Sequence, residues 1–243
     1  MRKLYAPVAL ALVLLLCPAR GRWQDCPSPI AYGQNTDAGH VALVNGIRMY
    51  YETYGRGPVL LLIHGNGGSI YGMRCQISYF SRSYRVIVAD SRAHGKTEDG
   101  SGRLTYEQMA DDLSALLSEA QVNSVDLIGQ SDGGIIGLLL AIRHPSQVNK
   151  LVISNPNLRP DATALADWVI PWMKRDQEEA IAMIAKGDRS KDWGRVKRWN
   201  DLMLNEPHIP ATELHRIKTP TLIMGGDEDV ITTAGLEASP SAQ

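Results

Sequence analysis

The stretch Ser124-Val125-Asp126-Leu127-Ile128-Gly129-Gln130-Ser131-Asp132-Gly133-Gly134 decides how the rest of this chain is read. Residues 124–128 form a short apolar run of the kind that makes a buried strand. Residues 134–144 are almost wholly apolar and stop at Pro145, as a buried helix would. Between them, Gly129-Gln130-Ser131-Asp132-Gly133 has the G-x-S-x-G form of a sharp strand-to-helix turn, which holds a serine hydroxyl clear of its neighbours. A serine hydroxyl is a weak nucleophile and acts as one only beside a base and beside donors for the oxyanion. Glycines flank such a turn because side chains there would crowd the bend and the helix packed on it. Ser131 is therefore the candidate nucleophile.

Upstream, Val59-Leu60-Leu61-Leu62-Ile63 is continuously apolar, as expected of a strand buried on both faces of a parallel sheet. It runs into His64-Gly65-Asn66-Gly67-Gly68, a corner where backbone N–H groups can approach a ligand. A second oxyanion donor belongs at such a corner, so the N–H of Asn66 joins the N–H of Asp132 as a candidate donor. His64 reads as a residue that stabilises this loop. The pattern predicts a further strand over 85–89, ending in the polar loop Asp90-Ser91-Arg92-Ala93-His94-Gly95. Asp90, Arg92 and His94 are read as tying that loop down. Asn45-Gly46 between residues 40–44 and 47–54 is a hairpin signal. A short helical segment is expected over 70–80, and an amphipathic helix over 105–119 with Met109, Leu113, Leu116 and Leu117 on one face.

Downstream, residues 148–154 are the next strand. From 158 to 210 the strand-helix alternation gives way to helices alone. Asp176 with Glu179 reads as a helix start, Ile181 and Ile184 as one face and Gly187 as the stop, while Val196, Trp199 and Met203 mark a second helix. Trp168, Trp172, Trp193, Met173 and Met183 fall in the same block, which is read as a lid over the sheet's carboxyl edge. Residues 220–224 resume the sheet and lead to Gly225-Gly226-Asp227-Glu228-Asp229, where the acid of a Ser, acid, His order belongs. Asp229 is preferred over Asp227.

A chain of 243 residues with a net charge of -1 holds one substantial core and no basic stripe with interleaved aromatics, which argues against a nucleic-acid partner. No His/Cys/Asp/Glu group has ligand spacing, so no metal is expected. The corner at 65–68 lacks the Lys-Ser/Thr ending of a nucleotide-binding loop, so no cofactor is expected either. Arg2 and Lys3 precede an apolar stretch over 8–17, with small residues near Ala19 and Gly21. This is the pattern of a secretory signal peptide, too short for a comfortable span, and implies a secreted or periplasmic protein without a stable membrane anchor. Cys26 and Cys75 leave two readings open, a disulfide or a buried free thiol at Cys75.

Taken together, His64-Gly65, Asp90-x-Arg92-x-His94-Gly95, Gly129-x-Ser131-Asp132-Gly133-Gly134 and Gly226-Asp227-Glu228-Asp229 resemble the α/β-hydrolase superfamily over residues 41–231. The run Ser131-Asp132-Gly133-Gly134 is similar to the valacyclovir hydrolase (biphenyl hydrolase-like) group. The resemblance implies an α/β fold with a mostly parallel sheet, helices on both faces and a helical cap. With the signal peptide at 1–21 set apart, the chain divides into core at 22–157, cap at 158–210, an acid-bearing strand at 211–231 and an irregular tail at 232–243. It makes Ser131 and Asp229 catalytic, gives the oxyanion N–H groups to Asn66 and Asp132, and lets the Asp132 carboxylate hold an α-amino acyl group. The implied function is hydrolysis of small carboxylic esters or related acyl substrates through an acyl-enzyme. None of the six histidines follows Asp229, and the family's last strand has no counterpart, so a truncated and impaired hydrolase is expected. Neither His94 nor His208 is at the family position. A relic that binds a small ligand without catalysis is the alternative.

Overall fold

Alternation of apolar runs with amphipathic segments produces, among the described residues, a seven-stranded sheet with helices against it. The structure, a computed structural model, describes Cys26 and residues 28–226 and 229–232. The signal segment at 1–21, Asp227, Glu228 and residues 233–243 of the tail lie outside the described residues. In chain order the elements are β1 (Gly39–Val44), β2 (Ile47–Tyr54), β3 (Val59–Ile63), α1 (Arg74–Phe80), β4 (Arg85–Ala89), α2 (Tyr106–Glu119), β5 (Val125–Gln130) and α3 (Asp132–Arg143), followed by β6 (Val148–Ser154), α4 (Val169–Ala185), α5 (Trp193–Asn205), α6 (Ala211–Leu214) and β7 (Thr221–Met224). The sheet order is β1-β2-β4-β3-β5-β6-β7. β1 and β2 form the hairpin, with Asn45 and Gly46 at φ of 42° and 79°. β2 pairs antiparallel with β4, and every later pairing is parallel. Parallel strands bring their carboxyl ends to one rim, where open α/β sheets build sites.

The two-residue period of a strand sends successive side chains to opposite faces. Leu61 and Ile63 of β3 enter the core shared with α2 and α3, while Leu60 and Leu62 face Ile70, Met73 and Ile77 around α1. Helices therefore cover both faces. On the α1 side, however, the cover given by the described residues stops short of β7. Ile128, Val152 and Leu222 line a cavity of about 850 Å³ there, and Leu222 is 38% exposed. Among the described residues β7 is the edge strand. Cys26 and Cys75 are bonded, tying the chain before β1 to α1 and resolving the choice that the sequence left open.

Two expectations need correction. β5 continues through Gly129 and Gln130 because both pair with β6, opposite Ile153 and Ser154. α4 starts at Val169, well before Asp176, with Pro171 accommodated in its first turn, where no N–H partner is lost. Asp176 and Glu179 therefore lie inside the helix and cap nothing. The inward face is Val169, Met173 and Ala180, and the expected pair Ile181 and Ile184 is 49% and 45% exposed. Gly187 does end the helix, at φ 68°, its N–H donating to the Ile184 carbonyl.

Buried polar groups brace the loops that leave this sheet. Arg92 forms a two-pronged pair with Asp112, Nε to Oδ2 at 2.6 Å and Nη2 to Oδ1 at 2.7 Å, with both side chains almost fully buried. The Asn45 side-chain amide donates to the same carboxylate at 2.9 Å. Removing one member of a buried pair strands the other charge. Asp112→Ala is therefore expected to cost about 3 to 5 kcal/mol, read as a lower urea midpoint. A midpoint equal to wild type would show that the pair carries no such weight.

Candidate active site

Ser131 stands at the junction of β5 and α3 with φ 53° and ψ -121°, a conformation that L residues adopt only where surrounding structure forces it. The force is steric. A Cβ at Gly129 would lie 2.2 Å from the Gly133 carbonyl oxygen, and one at Gly133 would lie 2.2 Å from the Ile63 carbonyl oxygen. Only glycine lets the bend close and α3 sit against the end of β3. The Ser131 N–H donates to the Ser154 carbonyl at 2.8 Å, and the Ser131 carbonyl accepts from the N–H of Gly134 at 2.7 Å, so the turn is anchored to β6 and to its own helix.

The side chain borders a cavity of about 440 Å³. His64, Gly65, Asn66 and Asp132 line it from the sheet, and Leu165, Val169, Trp172, Met173 and Met203 line it from the cap helices and the loop before them. Residue 65 runs so close that a Cβ there would sit 3.2 Å from that of Ser131, which puts the Asn66 corner beside the serine. The structure thus gathers Ser131, Asn66 and Asp132 around one hollow. Of the lid aromatics and methionines, Trp172, Met173 and Met203 reach it, whereas Trp199 stacks on His94 and donates to the Ala93 carbonyl at 3.0 Å.

Asp229 lies on the same rim, beyond β7, and borders the adjoining 850 Å³ cavity. Gln130 and Met73 line both cavities. Its carboxylate accepts from the Val230 N–H at 2.6 Å, the Gly226 N–H at 3.3 Å and the Asn155 side-chain amide. Residues 229–232 then fold back on the start of the cap, through a bridge between Leu165 and Ile231. Asp227 is outside the described residues.

The two buried histidines nearest the site have both ring nitrogens engaged. His64 bonds the Gly65 carbonyl through Nδ1 at 2.7 Å and accepts the Ser91 N–H through Nε2 at 3.0 Å. His94 bonds the Arg92 carbonyl at 2.9 Å and accepts the Gly67 N–H at 3.0 Å. Burial lowers the pKa of both; that of His94, further opposed by neighbouring His64, falls to about 3. Asp90 accepts the N–H groups of Ile70 and Lys96, each at 2.8 Å. These groups hold loops in place, and His208 is exposed.

Three residues of the site were not singled out from sequence. Tyr106 donates its hydroxyl to Asp132 at 2.7 Å, Glu206 lines the same cavity while paired at 2.8 Å with Arg103, and Asn155 holds Asp229. Tyr106 opens α2 and is buried with its apolar face, where only Met109, Leu113, Leu116 and Leu117 were expected. Asn155 directly follows β6, and nothing local to it marks a partner for Asp229.

A family model described as alpha/beta hydrolase fold matches residues 58–192. The chain belongs to this family. Similar proteins include 3-oxoadipate enol-lactonase 2 of Acinetobacter baylyi, 27% identical over 210 residues that cover 77% of this chain and 78% of that protein. The human serine hydrolase BPHL is 26% identical over 216 residues, covering 82% and 72%. A hydrolase from Pseudomonas aeruginosa aligns with a TM-score of 0.67 at 22% identity, covering 84% of this chain and 86% of that one. An enol-lactonase from Burkholderia xenovorans gives 0.65 at 23% identity, covering 82% and 86%. At these identities the solved structures share the fold. Membership of the alpha/beta hydrolase family supports hydrolase chemistry of that broad type.

In this alpha/beta hydrolase, burial pushes the Asp132 carboxyl up from 3.8 to about 6, against the pull of the Tyr106 hydroxyl, the Asn66 side chain and its own backbone N–H. Between those values the folded chain keeps a proton that the unfolded chain has released, so this group favours folding at low pH and loses that effect as pH rises through 6. Urea unfolding from pH 4 to pH 7 should show a shallower decline in Asp132→Asn than in wild type. Parallel curves would remove the claim.

Proposed function

We propose that this chain is a serine hydrolase of small carboxylic esters or related acyl substrates. The observation that carries the reading is Ser131 held at φ 53° on the rim of a cavity lined on one side by the Asn66 corner. Ser131 Oγ attacks the carbonyl carbon, the N–H groups of Asn66 and Asp132 receive the developing oxyanion, and water later cleaves the acyl-enzyme. Asp229 serves as the acid of the triad, on the same rim as the serine. The Asp132 carboxylate, facing the cavity beside Ser131, holds an α-amino group on the acyl part of the substrate. The mostly apolar cap wall of Leu165, Val169, Trp172 and Met173 suits a small apolar acyl group. Secretion or export to a periplasm is part of the same reading, and the Cys26–Cys75 bond supports an oxidising compartment.

In this reading neither His64 nor His94 is the base for Ser131, because each has both ring nitrogens hydrogen-bonded. The same occupied histidines favour a second reading, a non-catalytic member of the fold that binds a small ligand under the cap. A fluorophosphonate probe separates the two. Covalent labelling that disappears in Ser131→Ala supports the hydrolase, and a well-folded wild type that never labels supports the binder. On the hydrolase reading, Asp132→Asn should lower kcat/KM for α-aminoacyl esters by about 10-fold or more relative to their des-amino analogues, the weight of one charge-assisted hydrogen bond. An unchanged ratio would take the amino group away from Asp132.

A further inference from the structure

The corner at 64–68 carries the Asn66 N–H, yet three of its five residues are glycine, the residue that loses most freedom on being fixed. An oxyanion donor is effective only when it is held in place before the charge develops. The corner's own bonds run from the Gly68 N–H to the Gly65 carbonyl at 3.1 Å and from His64 Nδ1 to the same carbonyl at 2.7 Å. They close the turn around residues 66 and 67 without touching either. Those two are held from the cap.

Trp199 of α5 is the point of contact. Its carbonyl accepts from the Asn66 side-chain amide at 3.2 Å, and its indole lies over Gly67, 3.8 Å from where a Cβ on that residue would stand. The same ring stacks on His94, with centroids 4.9 Å apart and planes 17° from parallel, and its N–H donates to the Ala93 carbonyl at 3.0 Å. His94 in turn receives the Gly67 N–H on Nε2 at 3.0 Å. Residue 66 is thus gripped by its side chain, and residue 67 by its N–H and by the indole above it.

The rest of this helix face completes the seat. Arg195 donates to the Gly95 carbonyl at 3.1 Å and Arg198 to the Gly102 carbonyl at 2.8 Å, which moors α5 on the loop that follows Ala93 and His94. Arg195, Arg198 and Trp199 share the face by their i, i+3 and i+4 spacing, and Met203, one turn beyond, lines the Ser131 cavity. Inwards, the Asn66 side chain also acts on the carboxyl of Asp132, the residue that supplies the other donor. Among the described residues nothing accepts the Asn66 backbone N–H, which leaves it for a ligand.

Resting on the serine hydrolase reading, we propose that Trp199 is a positioning residue for the oxyanion site, fixing the Asn66 N–H from the cap so that this donor is in place only while α5 is seated on the corner. Trp199 does not line the Ser131 cavity; it acts through His94, Gly67 and Asn66. The cap therefore supplies transition-state geometry as well as a wall.

The test compares the rates at which Ser131 of the 243-residue chain is labelled by a fluorophosphonate and by its P=S counterpart, read by mass spectrometry. As Oγ bonds phosphorus and fluoride leaves, negative charge builds on the phosphoryl oxygen. Sulfur in that place accepts hydrogen bonds weakly, so the oxygen-to-sulfur rate ratio reports the donors, whereas a general loss of fold lowers both rates together. Loss of one oxyanion donor costs about 10² to 10³ in rate, so Trp199→Leu is expected to lower the ratio by about 10-fold or more. Trp199→Phe keeps a ring on His94 and should restore most of the ratio. Trp193→Phe, on the same helix but bonded to Asp188, should leave it at the wild-type value. Should Trp199→Leu fail to fold, Asn66→Ala carries the same expectation, because it keeps the backbone N–H and releases the Trp199 carbonyl. An unchanged ratio in these variants, or an equal fall in Trp193→Phe, overturns this proposal alone when wild type labels at Ser131 with a preference for oxygen. Wild type that never labels, or labels without that preference, sinks the hydrolase reading or its donors and this proposal with them.

Discussion

The closeness of the bend at residues 129–133 to the end of β3 is the constraint on which the rim depends. Two backbone oxygens, those of Ile63 and Gly133, occupy the places where side chains on residues 133 and 129 would stand. With those places kept open by glycine, α3 packs against the sheet, the Ser131 backbone is driven to positive φ and its side chain is turned outwards. Strain at one residue is held by bonds on both sides, to Ser154 across the sheet and to Gly134 within the helix. The register that sets Ile63, Gly129 and Ile153 side by side brings the corner at 64–68 into contact with the same serine.

Around that bend, buried polar groups serve to fix loops. Glu52, fully buried, receives the N–H groups of Gly33 and Asn35 and the hydroxyls of Tyr50 and Tyr54. Asp90 gathers the N–H groups of Ile70 and Lys96, and His64 and His94 each span two backbone groups. Each group meets the requirement that a buried polar atom find a partner, and in doing so spends the lone pair or proton that chemistry would need. Position near a cleft is therefore a poor guide to which histidine acts.

The cap contributes shape. α4 and α5 pack against each other, and the start of α4 with Leu165 and Ile231 makes an apolar cluster over the rim. That cluster ties the segment carrying Asp229 to the roof of the Ser131 cavity, so acid, roof and nucleophile are mechanically joined although they lie far apart in the chain. Asp132 and Glu206 bring carboxylates into an otherwise largely apolar hollow, and Tyr106 holds the first of them.

Much of this was legible in the chain. Strands over 59–63, 85–89 and 148–154 and the Asn45-Gly46 hairpin follow from apolar runs and turn chemistry, which are local properties. So does the sharp bend at Ser131, because the steric need for glycine is written at fixed spacing. The start of α4 was misread because a capping signal at Asp176 also fits a helix interior, and no local rule tells the two apart. Likewise the period of α2 gives no sign that the Tyr106 hydroxyl meets Asp132. Only the tertiary structure decided that Asp229 borders its own cavity, that Asn155 holds it, that Cys26 and Cys75 meet, and that His64 and His94 have no free nitrogen. The physical reason is that each of these depends on the distance between atoms far apart in sequence, which packing sets and residue order does not.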